Sequence, residues 1–130
     1  AGASASTALQ VDAITTEQSG YQAARKLLDR DQRIDAVIAA SDLIAIGAMH
    51  ALQECHIDVP AEVSVVGFDD IPAASLANPP LTTVAQDTRL AGEVLVDTLL
   101  RQIRNEPMEG ATMLSTRLVV RRSCGAGVAG

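Results

Sequence analysis

Polar residues stand directly after three short apolar runs in the middle of the chain. The runs cover residues 36–40, 63–68 and 81–85, and each is bounded and rich in β-branched or small side chains, as buried strands are. In open α/β sheets, ligands bind outside the carboxyl ends of the strands, where loops and helix N-termini leave donors and acceptors free. The sequence therefore predicts a binding site on one sheet edge, built from the polar pairs that end the runs: Ser41-Asp42, Asp69-Asp70 and Gln86-Asp87.

The pair Asp69-Asp70 has three candidate uses. A carboxylate offers about four lone-pair sites and can bridge vicinal hydroxyls, so Asp69 is suited to hold a polyol or a ring nitrogen. One acid could instead cap the following turn through its own backbone. Magnesium or phosphoryl chemistry would need a cation near a neighbouring strand end, and the only lysine, Lys26, falls in a predicted helix before the first run. Hydroxyl recognition is therefore favoured over phosphoryl chemistry, and turn capping stays open.

Other candidate chemistry is sparse. Ser41 and Asp42 stand where a helix begins, so capping that helix is the expected use of one of them. The sequence contains no Gly-rich dinucleotide fingerprint and no phosphate-cradling loop, and neither cysteine has an obvious histidine partner at a strand end. The pair Cys55-His56 would need two more ligands to hold a metal, so we interpret it as structural. The sequence therefore predicts no metal site, no cofactor and no enzymatic activity.

Composition narrows the class of protein. The chain has 130 residues, of which 48% are apolar and 20% charged, enough for one domain with a core but hardly for two. Its net charge of −6 disfavours nucleic-acid binding by this segment, because phosphate contacts need a concentrated positive face. Two cysteines without a CxxC pair indicate reduced thiols and a cytoplasmic protein. No apolar run is long enough to cross a membrane. The opening AGASASTAL, without Met, suggests a piece of something longer.

Helical and strand patterns alternate along the chain. This order predicts an α/β fold with a three-layer, mainly parallel sheet. Three prolines between 71 and 80 predict an irregular path there. The predicted elements are a short strand over 9–14, a helix carrying Tyr21, Ala24 and Leu28, the strand 36–40, a helix from Asp42 to Cys55, the strands 63–68 and 81–85, a long helix capped by Asp87 or Thr88, and a strand over 114–121.

Four motifs stand in fixed order along the chain: DAVIAASDLIAIGA (35–48), VP followed by VSVVGFDDIP (59–72), PPLTTV (79–84) and LVVRRS (118–123). Together they resemble the C-terminal part of a lactose-repressor/galactose-repressor type transcriptional regulator. The resemblance extends from about Ser19 to Ser123. It implies the two-lobed fold of periplasmic sugar-binding proteins, with the effector between the lobes and a separate helix-turn-helix domain that this chain does not contain.

The resemblance also implies roles for single residues. Asp69 would bond the effector, and Gln86 and Thr88 would lie at the crossing between lobes. Ser41 stands where many relatives carry Asn, and Thr15 where an aromatic often stacks on the ligand, so both departures weaken the expected sugar contacts. Dimer contacts would fall at Ile46, Leu76 and Ala77, with ordinary core packing as the alternative.

The same resemblance predicts how the chain divides. The C-terminal lobe of the effector domain would cover 9–86, and residues 87–111 would form a crossover helix of the first lobe, most of which is missing. The strand 112–123 would then return to the C-terminal lobe. Residues 1–8 and 124–130 are expected to be a disordered lead and tail.

We interpret the chain as the effector-sensing part of a bacterial transcriptional repressor, and we expect its small-molecule effector to be a sugar. A homodimer is expected, with DNA contacted only through the absent domain. The main alternative is a periplasmic sugar-binding protein of an ABC transporter, which a signal sequence upstream would indicate. An enzyme using Asp69 in acid-base or phosphoryl chemistry is a third possibility.

Overall fold

A computed structural model of the chain describes residues 9–30, 33–107 and 110–126. Helices and strands alternate in this part of the chain, as the sequence pattern predicted. In chain order they are α1 (Glu17–Leu28), β1 (Ala36–Ile38), α2 (Asp42–Glu54), β2 (Ser64–Asp69), α3 (Pro72–Leu76), β3 (Thr82–Gln86), α4 (Thr88–Ile103) and β4 (Thr116–Val119).

The four strands form one mixed sheet in the order β1-β2-β3-β4. The first three are parallel, with Val37 beside Val65 and Gly67 beside Thr83. The strand β4 runs antiparallel to β3 and places Arg117 beside Ala85. The parallel pairing brings the carboxyl ends of β1, β2 and β3 to one edge, which confirms the expected α/β class with a mainly parallel sheet.

Some element predictions differ from the structure. The predicted strand over 9–14 is not a strand, and β4 is shorter than the predicted 114–121. The predicted irregular stretch after Ile71 contains the short helix α3, because Pro72 occupies the first helical turn, where a missing N–H costs no hydrogen bond. The lead 1–8 and the tail residues 127–130 lie outside the described residues.

The core lies between the sheet and α2, and small side chains dominate it. Helix α2 is buried along most of its length because Ala, Gly and Ile fill its inner positions. Its residues pack with Val65 and Leu81 of the sheet region. The fully or nearly buried apolar side chains include Ala45, Ala48, Met49, Ala51, Leu52, Val63, Val65, Ala74 and Leu81.

Helix α1 packs on α2 through two glycines. A Cβ atom on Gly20 would overlap the backbone of Ile44, and one on Gly47 would overlap the carbonyl of Glu17. The two helix backbones therefore approach more closely than any other residue at these positions would allow.

Polar pairs border this helix contact on its solvent side. The Tyr21 hydroxyl donates to Glu54 Oε2 at 2.5 Å, and this hydrogen bond raises the pKa of Tyr21 above its usual value. His50 Nδ1 lies 2.9 Å from Glu17 Oε1. Both pairs join α1 to the C-terminal half of α2.

Helix α4 differs from the others because none of its residues is buried. Its apolar row is open, with Leu95 69%, Leu99 56% and Ile103 67% exposed. Within the described residues, no helix combines the length and apolar character needed to cross a bilayer.

We predict that a glycine-to-alanine substitution changes the free energy of unfolding in opposite directions in α2 and α4. Gly47→Ala forces a methyl group into the α1 backbone and should lower the free energy of unfolding by roughly 3 kcal/mol. Gly92→Ala meets no atom within 4 Å and should raise it by up to about 1 kcal/mol through better helix propensity. Urea denaturation followed by circular dichroism measures both. Equal stability of Gly47→Ala and wild type would contradict the close helix contact.

Candidate ligand-binding site

A polar cleft opens at the carboxyl ends of β2 and β3, where α4 begins and β4 enters the sheet. Its volume is about 480 Å³. Carboxylates, hydroxyls, an amide and guanidinium groups share its walls. We call it the rim cleft, and its lining residues are Asp69, Asp70, Ala85, Gln86, Asp87, Thr88, Arg89, Ser115, Thr116 and Arg117.

Asp69 ends β2 in a left-handed backbone conformation, with φ 111°. Its side chain is half-buried at the cleft. Gln86 Nε2 donates to Asp69 Oδ1 at 2.8 Å, which joins the end of β2 to the end of β3. The contact orients one carboxylate oxygen and leaves the Gln86 side-chain carbonyl as a further acceptor at the cleft.

Asp70 differs from Asp69 because its carboxylate pairs with two arginines, Arg117 in β4 and Arg121 just after it. Arg121 Nη2 donates to Asp70 Oδ1 at 2.7 Å, and both side chains are about 20% exposed. Arg121 Nη1 donates to the Leu81 carbonyl at 2.8 Å. Arg117 Nη2 lies 4.0 Å from Asp70 Oδ2 and is largely exposed. Asp70 is therefore held by an ion pair with Arg121, whereas Asp69 is held only by the neutral amide of Gln86 among the contacts described here.

Ser41 and Asp42 are both turned into the protein. The Ser41 hydroxyl accepts from the Ile44 N–H at 3.3 Å and is buried, so it caps α2 as one residue of the pair was expected to do. Asp42 is fully buried and accepts from Thr83 Oγ1 at 2.5 Å and from the Ile71 N–H at 2.8 Å.

The structure groups some predicted site residues and separates others. Asp69, Gln86 and Thr88 share the rim cleft, and Asp87 caps α4 by accepting from the Leu90 N–H at 2.9 Å. Ser41 follows β1 on the same sheet edge but is not among the residues that line the cleft. Thr15 is exposed before α1, where its neighbour Thr16 supplies the cap, and it also lies outside the cleft lining.

Arg117 and the hydroxyls of Ser115 and Thr116 line the cleft but were not predicted from the sequence. The alternating pattern of the last strand indicated which side chains face solvent. It did not indicate that this strand would pair with β3 at Ala85. Only the pairing brings these groups to the rim.

The predicted dimer residues occupy different environments. Ile46 is only 8% exposed and belongs to the main apolar core, whereas Leu76 at the end of α3 is 83% exposed. Ala77 is half-buried and packs against the core. Leu76 therefore offers most of the apolar surface in this group.

Among the described residues, no group of three or more His, Cys, Asp or Glu side chains is arranged to hold a metal ion. The acids at the rim are instead paired with arginine or amide donors.

Comparison with known proteins identifies the family. The family model of the periplasmic binding protein-like domain matches residues 3–124. The lactose operon repressor of Rhizobium radiobacter is 39% identical over 106 residues, which are 82% of this chain and 94% of that sequence. The chain belongs to the lactose-repressor/galactose-repressor family of transcriptional regulators. The resemblance drawn from the four motifs is thereby confirmed.

Two solved structures of this repressor family are similar in fold. The complex of the transcriptional regulator CelR with cellobiose has a TM-score of 0.86 and 40% identity, and the match covers 92% of this chain and 37% of that one. The lac repressor dimer bound to operator and the anti-inducer ONPF has a TM-score of 0.79 and 38% identity over 84% of this chain and 33% of that one. The chain thus spans roughly a third of the length of either protein, and it has the periplasmic-binding-protein-like fold.

We predict that the two arginines of this repressor-family rim differ in importance for stability. Arg121→Ala leaves Asp70 mostly buried without its close partner and should cost about 2–3 kcal/mol of unfolding free energy. Arg117→Ala removes a largely exposed group 4.0 Å from Asp70 and should cost less than about 0.5 kcal/mol. Chemical denaturation of both variants measures the difference. Equal losses would contradict the assignment of Arg121 as the structural partner.

Proposed function

We propose that this chain is the effector-sensing part of a DNA-binding transcriptional repressor, and that its effector is a sugar bound at the rim cleft. The observation that carries the proposal is the grouping of Asp69, Gln86 and Thr88 in one polar cleft at the carboxyl ends of parallel strands. Membership of the repressor family and the likeness to CelR in its cellobiose complex support it.

The chemistry of the cleft suits a neutral polyol. Sugar hydroxyls both donate and accept, and the Asp69 carboxylate, the Gln86 amide and the Thr88 hydroxyl supply the complementary groups. Because Arg121 neutralises Asp70, the cleft does not carry two uncompensated acids beside each other. A ligand would therefore need no positive charge to bind. The function is binding rather than turnover.

Signalling is proposed to work by a shift between conformations. Thr88 begins α4 whereas Asp69 ends β2, so one sugar held by both would fix the position of α4 relative to the sheet edge. A ligand shifts an equilibrium only by its difference in affinity for the two states. We propose a homodimer with Leu76 and Ala77 at the subunit contact and Ile46 behind them in the core. The shift would then change how the two subunits are arranged for DNA binding. DNA would be bound by a separate domain of this cytoplasmic protein.

We further propose that residues 87–111 form the crossover to a first lobe, with 9–86 and 112–123 in the second. The exposed row of Leu95, Leu99 and Ile103 supports this division, because a helix of this kind normally buries its apolar face.

Sugar binding is tested on the full-length protein by calorimetry and thermal shift with cellobiose, lactose and ribose. We expect one sugar to stabilise the protein, and Asp69→Asn to weaken its binding at least about tenfold through loss of a charge-assisted hydrogen bond. Asp35→Asn is the matched control, since it makes the same change at an exposed acid before β1, at the other end of the sheet. Unchanged affinity of Asp69→Asn would reject the proposed site, and conversion of the sugar to a product would show an enzyme.

The coding sequence upstream decides between the regulator and the transporter alternative. A helix-turn-helix segment joined in frame is expected for the repressor. A secretory signal sequence in its place would overturn the repressor and favour a periplasmic sugar-binding protein.

The lobe division makes its own prediction for the 130-residue chain studied alone. With its apolar row uncovered, the chain should associate with itself as concentration rises, and the double variant Leu95→Gln/Leu99→Gln should associate less. Glu93→Gln changes the opposite, polar side of α4 and serves as control. Sedimentation velocity measures the association. A wild-type chain that stays monomeric, or a double variant that associates as strongly, would contradict the assignment.

A further inference from the structure

The turn that follows β2 is held in an unfavourable backbone conformation. Asp69 has φ 111° and Asp70 φ 55°, so two successive non-glycine residues adopt left-handed backbone angles. Such residues persist only where their surroundings over-determine the conformation. Because Asp69 is the proposed ligand acceptor, whatever holds this turn also sets the direction of its carboxylate.

Asp42 holds the turn from the side of α2. Its carboxylate is fully buried and accepts the backbone N–H of Ile71, the residue that directly follows the two left-handed ones. The other oxygen accepts the hydroxyl of Thr83 in β3. One side chain at the start of α2 therefore connects the turn after β2 to the neighbouring strand.

A glycine makes room for this carboxylate. A Cβ atom on Gly67 of β2 would overlap Asp42 Oδ1 and lie 3.2 Å from the Asp42 Cα. The space at Gly67 is thus the space that the buried acid occupies. Without the acid, the Ile71 N–H would lose its partner in a region that is half-buried.

Asp70 also holds the turn, through its own pair with Arg121. The turn is therefore fixed at two neighbouring residues by two different carboxylates. The side chain of Asp69, the last residue of β2, contacts only the Gln86 amide among the hydrogen bonds described here. This arrangement frees Asp69 for a ligand while its backbone stays fixed.

We propose that Asp42 is a positioning residue for ligand recognition: it never meets the ligand, and it aims Asp69 by anchoring the turn at Ile71. This inference rests on the proposed function in one respect, namely that the ligand is held by Asp69. The anchoring of the turn by Asp42 follows from its contacts with Ile71 and Thr83 and does not depend on any ligand.

Three variants separate positioning from general stability. Asp42→Ala removes both carboxylate oxygens, which accept from the Ile71 N–H and the Thr83 hydroxyl. Asp42→Asn keeps an oxygen for the Ile71 N–H and offers an amide N–H to a Thr83 hydroxyl that rotates to accept it, so it is the conservative rescue. Gly47→Ala is the matched control, because it destabilises the fold at the α1–α2 contact, away from the turn.

The first readout needs no ligand. In Asp42→Ala we expect the Ile71 amide to exchange with solvent at least about tenfold faster than in Gly47→Ala at equal global stability. The side-chain amide resonances of Gln86 should also shift, because its acceptor Asp69 has moved. Asp42→Asn should resemble wild type in both. Unchanged Gln86 resonances in Asp42→Ala would overturn the inference.

The second readout is the affinity of full-length protein for the sugar identified in the Asp69 experiment. Asp42→Ala should bind at least about tenfold more weakly, as expected for loss of a well-aligned charged hydrogen bond, with Asp42→Asn within about threefold of wild type. A loss no larger than that of Gly47→Ala would show a purely structural role. If wild type binds none of the sugars, the proposed function fails, while exchange and resonances still decide whether Asp42 aims Asp69.

Thr83→Val covers the case in which Asp42→Ala does not fold. It removes only the hydroxyl that fixes one carboxylate oxygen and leaves the Ile71 contact possible. We expect faster exchange at Ile71 and shifted Gln86 resonances in this variant as well. If the exchange rate at Ile71 and the Gln86 resonances both match wild type, Asp42 does not control the turn.

Discussion

Parallel pairing of β1, β2 and β3 is the constraint on which the rest of this structure depends. In a parallel sheet every strand ends at the same edge, so the residues that follow the strands meet there whatever their distance in sequence. Asp69 and Gln86 are 17 positions apart, yet they are joined by a 2.8 Å hydrogen bond. Buried Val65 and Leu81 hold the strands in register on the α2 side, and a slip of one residue would turn these side chains out of the core.

The interior that maintains this register is made of small groups. With Trp absent and aromatics at 2% of the sequence, the core cannot rely on large rings. It relies on close approach, which Gly20 and Gly47 allow between α1 and α2 and Gly67 allows between β2 and Asp42. Dense packing of this kind transmits small displacements instead of absorbing them, which suits a domain whose proposed task is to report a bound ligand.

Sequence reasoning predicted which polar residues stand at the strand ends, because that position depends on the local pattern. It failed where pairing between distant segments decides which residues meet. Asp69, Gln86 and Asp87 follow apolar runs directly, so their position at the strand ends could be predicted from the chain itself. Arg121 could not, because its partners Asp70 and Leu81 are 51 and 40 positions away. Ser123 shows the same limit: it begins the glycine-rich tail after the last strand, yet it is fully buried. Its hydroxyl donates to the Val65 carbonyl at 2.6 Å and accepts from the Thr82 N–H at 2.8 Å.

The two walls of the rim cleft differ in how firmly the fold holds them. This difference indicates which wall would move in the proposed response to a ligand. The sheet wall, with Asp69 and Ala85, is tied to the core through Asp42, Arg121 and buried strands. The other wall is the start of α4, in which no residue is buried. A ligand that contacts both walls, as proposed, would leave the sheet in place, because deforming it would break the hydrogen bonds of Asp42 and Arg121. In the proposed mechanism its binding free energy would instead act on the orientation of α4, which has no buried residue to hold it.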